Sequence, residues 1–202
     1  MTITTTLNKI REHAPCVDGW SKLLKHLGKT RADDEPLSLL TVLESNGLDD
    51  TLWCLRAVSG YDREFRLYAV WCARLVVHLM TDQRSLVALD VAERYANGQA
   101  TGEELAAAAS GAVAAAAVTW NGGAAAESVA SIAAADAARD IAWDAAWDAA
   151  CDAAGALTRD DVGDTEWDTG EAIVRDVAWD AARAAQVTEL IRLLEEGHAY
   201  RR

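Results

Sequence analysis

The chain has 202 residues, two prolines and a formal net charge of −13. An acidic chain of this kind is repelled by nucleic acid and by anionic membrane, whereas it attracts basic protein surfaces, including those built to hold nucleic acid. The 51% hydrophobic content leans on alanine, with 33 alanines after position 100, so helix is favoured over sheet and the sturdier core is expected in the first half.

The N-terminal stretch MTITTTLNKIREHAPC has no apolar h-region and no small-residue cleavage pattern, so no secretory signal is expected. Next, VDGWSKLLKHLGK reads as a helix ending at Gly28. In DDEPLSLLTVLESNG, Asp33 or Asp34 is expected to cap, Pro36 to sit in the first turn and Asn46-Gly47 to stop the helix. LDDTLWCLRAVSG follows and stops at Gly60. YDREFRLYAVWCARLVVHLM is longer, and at 100° per residue its apolar side chains surround most of the circumference. It reads as a central, largely buried helix with Asp62 as its cap. TDQRSLVALDVAERYANG closes this half at Asn97-Gly98. The words WCLRAV (53–58) and WCARLV (71–76) share W-C-x-R-x-V, a faint sign of helix-pair duplication.

The second half opens on TGEE (101–104), a capping-box pattern, and a helix should run from there to about Thr119 before the Asn-Gly-Gly at 121–123. A second long helix is expected from Ala125 to Gly155, and a third after the loop TRDDVGDTEWDTG, ending near Gly197. RDIAWDAAW (139–147) and RDVAWDAAR (175–183) agree at seven of nine positions, which marks an internal repeat. The longest uncharged run, residues 105–126, is mostly alanine with Ser, Gly, Thr and Asn inside, too weakly apolar for a transmembrane span. The expected fold is therefore all-α. An array of short antiparallel helices (1–98) precedes an acidic bundle of three long Ala-rich helices (101–197).

Charge divides along the same line. Residues 1–100 hold 12 Lys+Arg against 13 Asp+Glu, and residues 101–202 hold 7 against 19. The stretch DAARDIAWDAAWDAACDAA (136–154) sets Asp136, Asp140, Asp144, Asp148 and Asp152 at i,i+4 spacing. On one helix these acids share a face. Ala138, Ala142, Ala145, Ala146, Ala149, Ala150 and Ala153 fall on the other, and Trp143 and Trp147 line the border. Like charges at that spacing cost about 0.2–0.5 kcal/mol per pair, so the ladder is no stabilising device. An acidic face for a basic partner accounts for it. The third helix and its loop extend the candidate partner-binding set with Asp160, Asp161, Asp164, Glu166, Asp168, Glu171, Asp176 and Asp180. A single ladder carries one charge per about 6 Å, against one per about 1.7 Å in duplex DNA, so nucleic-acid mimicry would require both helices to face the same way. Duplication of an Ala-Ala-Trp-Asp unit, with Asp merely solvated, explains the same pattern without a partner.

Other chemistry is thinner. His13 and Cys16 have metal-ligand spacing, but no second pair follows. Cys54, Cys72, Cys151 and His78 lie on apolar helices and read as packing residues. The scattered cysteines fit no disulfide framework, as expected of a reduced, cytoplasmic protein. RDDVGD (159–164) is at most a faint cation loop. No hydrolase, P-loop, zincin or dinucleotide motif is present, so neither a cofactor nor an enzymatic activity is expected.

The segments ADDEPLSLLTVLESNGLDDTLWCLRAV, DREFRLYAVWCARLVVHLM and ALDVAERYANGQATGEELAAA, followed by an Ala-rich tail with Trp, Asp and Arg, resemble a group of uncharacterised bacterial and prophage proteins, the immunity-five-like family. The likeness covers most of residues 7–190. The tail here is more acidic and less arginine-rich than the usual run, and the family has no catalytic motif to carry over. The resemblance implies a cytoplasmic protein that neutralises a toxin by binding it or, in a phage setting, one that blocks a host defence complex. The expected function is thus non-catalytic inhibition, with the acidic face occupying a basic protein surface and with no direct contact to nucleic acid or membrane. The alternatives are a structural module that self-associates through its Ala and Trp faces, as in a homodimer, and an uncharacterised enzyme.

Overall fold

Side-chain caps and left-handed glycines set many of the helix limits. The computed structural model describes the backbone of residues 2–122, 124–162 and 169–201, and side chains across those ranges except 159–162 and 169–176. Ten α-helices are present among the described residues: α1 Leu7–Glu12, α2 Val17–His26, α3 Leu39–Asn46, α4 Leu48–Cys54, α5 Asp62–Arg74, α6 Gln83–Ala96, α7 Gly102–Asn121, α8 Ala125–Ala137, α9 Ala142–Val162 and α10 Thr169–Glu196. The fold is all-α apart from a two-residue antiparallel ladder, β1 (Thr4–Thr5) with β2 (Leu37–Ser38).

Several limits fall where local chemistry places them. Thr101 and Glu104 form the reciprocal capping box at the start of α7, with the Thr101 N–H donating to Glu104 Oε2 at 2.7 Å and the Glu104 N–H to Thr101 Oγ1 at 3.2 Å. Gly47, with φ of 93°, lets the chain leave α3 and enter α4 at once. The central helix α5 is as buried as its pattern implies, with Phe65, Tyr68, Ala69, Val70, Cys72 and Ala73 all in the core.

Three expectations are corrected. The helix expected from Pro36 begins instead at Leu39, where Ser38 caps it by accepting from the Leu40 N–H at 3.2 Å. Leu37 is drawn into the ladder against Thr5. Asp62 does not cap α5: the N-cap is Tyr61, without a side-chain bond, and Asp62 stands in the first turn, where its charge suits the helix dipole. The third correction is the largest. The single helix expected over Ala125–Gly155 is two helices, α8 and α9, broken at residues 138–141. The second half therefore contributes four helices rather than three.

The break has an identifiable cause. Arg66 on α5 is 2% exposed, and its guanidinium donates to the carbonyls of Ala137 (3.2 Å), Arg139 and Asp140 (2.8 Å). Those carbonyls belong to the end of α8 and the link after it, groups that a helix terminus leaves without partners. The forked guanidinium supplies several donors in one plane, and the Tyr95 ring centroid lies 5.1 Å from its carbon. The link turns α8 back along α9.

Alanine makes the close packing of this region possible. Ala142, Ala145, Ala146, Ala149, Ala150 and Ala153 of α9 are all at most 3% exposed, so the alanine face anticipated for this segment is the buried one. α9 packs on α5, α8 and α10. Gln186 of α10, fully buried, ties them together: its Nε2 donates to the Ala150 carbonyl at 2.7 Å, and its own carbonyl accepts from Tyr68 Oη at 3.1 Å. The Ile3 N–H donates to the Leu194 carbonyl at 3.1 Å, joining the N-terminal ladder to α10. One hydrophobic cluster runs from Ile3 to Tyr200. No helix among the described residues is long and apolar enough to cross a membrane.

Removing the Arg66 fork would strand three carbonyls at the α8–α9 corner. Arg66→Leu is expected to destabilise the protein by about 3 kcal/mol or more in urea unfolding. A change below about 1 kcal/mol would mean that the corner holds itself.

Candidate partner-binding surface

The five aspartates of the ladder do not share one straight helix. Asp136 sits near the end of α8 and is 3% exposed. Asp140 lies in the link, exposed, with its Oδ1 accepting from the Ile141 N–H at 2.9 Å. Asp144, Asp148 and Asp152 follow on α9, each partly exposed. Of the four like-charge steps anticipated, only Asp144–Asp148 and Asp148–Asp152 lie within one helix.

Arg139 clamps this group. Its guanidinium reaches Asp136 at 2.8 Å, Asp148 at 2.7 Å and Asp144 at 3.4 Å. One cation therefore serves three carboxylates, and the repulsion that made the ladder puzzling is largely offset inside the protein. The Asp152 carboxyl is a neighbour of Asp136 that raises its pKa. Burial and that carboxyl together push Asp136 up to about 7, against the pull of Arg139. Asp148 is raised as well, by burial first and then by the charges of Asp136 and Asp144.

Of the remaining candidate acids, Asp180 is exposed on α10. Asp164, Glu166 and Asp168 lie outside the described residues, as do the side chains of Asp160, Asp161, Glu171 and Asp176. Residues 159–162 of the RDDVGD stretch, expected in a loop, are instead the last turn of α9, and residues 163 and 164 lie outside the described residues. His13 and Cys16 are both exposed near the start of α2, where Cys16 Sγ accepts from the Gly19 N–H at 3.4 Å as the N-cap. No group of three or more His, Cys, Asp or Glu side chains among the described residues is arranged to hold a metal ion. Burial pushes the Cys54 thiol up to about 12 and that of Cys151 up to about 11, so neither is a ready nucleophile.

Beside the clamp lies a feature that sequence reasoning missed. α2, α4 and α9 enclose a half-open cleft of about 110 Å³. Trp20, Trp53 and Trp147 line it, one from each helix, together with Cys16, Asn46 and Asp50. Asp50 Oδ2 accepts from Asn46 Nδ2 at 2.6 Å, and that same Nδ2 also donates to the Gly19 carbonyl at 2.8 Å. Gly19 is required for this approach, since a Cβ there would stand 2.7 Å from Asp50 Oδ2. On the neighbouring surface, Arg56 is sandwiched between Trp53 and Trp143, its carbon 4.4 Å and 4.3 Å from the two ring centroids. The signal available in the sequence was the placing of Trp20, Trp53 and Trp147 next to acids or short side chains, but their convergence needs the fold.

Arg183 donates to Asp49 at the foot of α4, which ties α10 to this side of the molecule. The cleft, the Arg56 sandwich and the partly exposed Asp144 and Asp148 form one aromatic and acidic surface along α4 and α9. Neither a protein-family model nor a curated protein nor a solved structure matches this chain.

The Asp136 proton has a consequence with a definite sign. The folded protein holds it more tightly than the unfolded chain, where the ordinary value is 3.8. Its contribution to stability is complete below about pH 4 and is lost as pH rises through about 7. Asp136→Asn, which cannot ionise, is therefore expected to gain stability relative to the parent between pH 5 and pH 8 in a series of thermal melts. A gap between the two proteins that stays constant over that range would show that Asp136 is ionised throughout.

Proposed function

We propose that this protein is a non-catalytic inhibitor that binds a basic surface on another protein in the cytoplasm, either a toxin or a nucleic-acid-handling defence enzyme. One observation carries the reading. From residue 101 on, every arginine whose side chain is described is already committed to carboxylates: Arg139 to Asp136, Asp144 and Asp148, Arg183 to Asp49, Arg192 to Glu189 and Glu196, and Arg201 to Glu189. With 7 basic against 19 acidic residues in this half, the acids outnumber the cations of the same half by 12. That excess faces outward as a field that a basic partner would satisfy. The resemblance to immunity-like bacterial and prophage proteins points to the same class of target.

The reading does not depend on phosphate-like spacing. Arg139 interrupts the row of carboxylates and Asp136 is internal, so capture rests on net field and on the aromatic surface beside it rather than on strict mimicry of a nucleic-acid strand. A self-associating module is the second reading, favoured by Val113, Val118 and Trp120 on α7, which are 52%, 61% and 63% exposed.

Salt separates the two, because a Debye length of about 10 Å at 0.1 M shrinks as salt rises, while apolar burial is not weakened. A tagged chain is expected to capture a basic protein from bacterial lysate at about 0.1 M salt and to release it at about 0.5 M. A variant carrying Asp140→Asn, Asp144→Asn and Asp180→Asn, with unchanged helix content, should lose most of that capture. Equal capture by the variant, or a complex retained at high salt, removes the acidic surface from the function. A dimer by sedimentation at both salts, with no other protein bound, favours self-association.

A further inference from the structure

We infer that the tryptophan-lined cleft between α2, α4 and α9 is a receptor for a guanidinium group, the side chain of an arginine presented by the basic partner. The inference rests on the binding reading above and names the chemistry that the surface would recognise.

Charge complementarity is the first support. The lining contains one carboxylate, Asp50, and no lysine, arginine or histidine. The rest is mainly carbon, supplied by Trp20, Trp53 and Trp147 together with aliphatic side chains. A wall of indoles with one acid suits a cation that is planar and weakly hydrated. A strongly hydrated point charge would lose more water on entry than such a wall returns.

Size is the second. About 110 Å³ of space is somewhat less than the roughly 150 Å³ cavity that holds a benzene ring. It therefore admits one flat group and the end of its stem, not a drug-sized ligand.

The third support is the pre-set geometry of the acid. Asn46 and the bare backbone at Gly19 hold Asp50 in the wall, by the 2.6 Å bond to Oδ2 and by the absence of a Cβ that would lie 2.7 Å from it. A carboxylate fixed in advance loses little freedom when a guanidinium fork docks.

The protein also shows that this surface accepts the chemistry. Arg56 already rests between Trp53 and Trp143 at 4.4 Å and 4.3 Å. Trp53 belongs to both that sandwich and the cleft lining. The cleft is a second station of the same kind, beside the first, with its own carboxylate and without its own cation.

The experiment uses the full chain and the blocked tripeptide Gly-Arg-Gly, with Gly-citrulline-Gly as the neutral isostere. Binding is read from the indole N–H resonances assigned to Trp20, Trp53 and Trp147, and from protection of the exposed Cys16 thiol at the cleft lip against a maleimide. The arginine peptide is expected to bind saturably, at least fivefold more tightly than the citrulline peptide, and to slow Cys16 labelling. Asp50→Asn should abolish that preference while leaving the rest of the spectrum in place. If Asp50→Asn disturbs the fold, raising salt with the parent protein must reduce the preference instead. Equal binding of the two peptides, or no saturable shift of the three indoles, overturns the inference.

The outcome is separable from that of the proposed function. A salt-sensitive partner captured equally by the parent and by Asp50→Asn, with no arginine-peptide binding, sinks the cleft and leaves the acidic surface standing. Selective arginine-peptide binding without any salt-sensitive partner does the reverse.

Discussion

The guanidinium of Arg66 decides the shape of everything on its side of the molecule. It is a charge taken out of water, and its burial lowers its pKa, so it is tolerable only with its donors used. The carbonyls of Ala137, Arg139 and Asp140 use them. That single set of bonds ends α8, turns the chain and starts α9. Without the turn, residues 125–162 would form one long rod with alanine on one side and five acids on the other. With it, the alanines of α8 and α9 meet each other and α5, and Arg139 is placed where it can reach back to Asp136 and forward to Asp144 and Asp148.

Close alanine packing carries its own constraint. Alanine contributes little area, so helices made of it must come near one another and borrow area from larger residues at the seam. Here the large residues are tryptophans. Trp143 and Trp147 pack against the core from α9 while remaining partly exposed, and Trp20 and Trp53 do the same from α2 and α4. Half-buried indoles at a three-helix seam leave faces and edges accessible, and the cleft is a direct result. The acidic surface and the aromatic surface therefore have one origin. The repeat that supplies Trp-Asp pairs to α9 puts the indole on the seam and the carboxylate beside it.

The electrostatic picture follows from how few cations remain. The described arginines of the second half are paired within the protein, and the lysines all lie in the first thirty residues. Internal pairing reduces the local repulsion in the ladder without cancelling the net charge. A protein arranged in this way gains little stability from its surface charges but projects a sustained negative potential. Steering of a basic partner is a use to which such a potential is suited.

Much of the local architecture is legible from the chain alone. The capping box at Thr101, the exits at Gly28, Gly47 and Gly98, the buried character of α5 and the alanine face of α9 all depend on residues within a turn or two of one another. Backbone hydrogen bonding and side-chain periodicity act over that distance. The start of α3 was misplaced because Leu37 pairs with Thr5, a contact that nothing local announces. The break between α8 and α9 was invisible for the same reason: Arg66 lies 71 to 74 residues from the carbonyls it caps, and no propensity marks residues 138–141 as a stop. From that break follow the burial of Asp136, the Arg139 clamp and the arrival of Trp147 opposite Trp20 and Trp53. Composition and periodicity determined that the protein would be helical, acidic in its second half and packed on alanine. Only the tertiary structure decided which acids face inward, which tryptophans converge and where a cavity opens, because those outcomes depend on long-range contacts that local sequence does not encode.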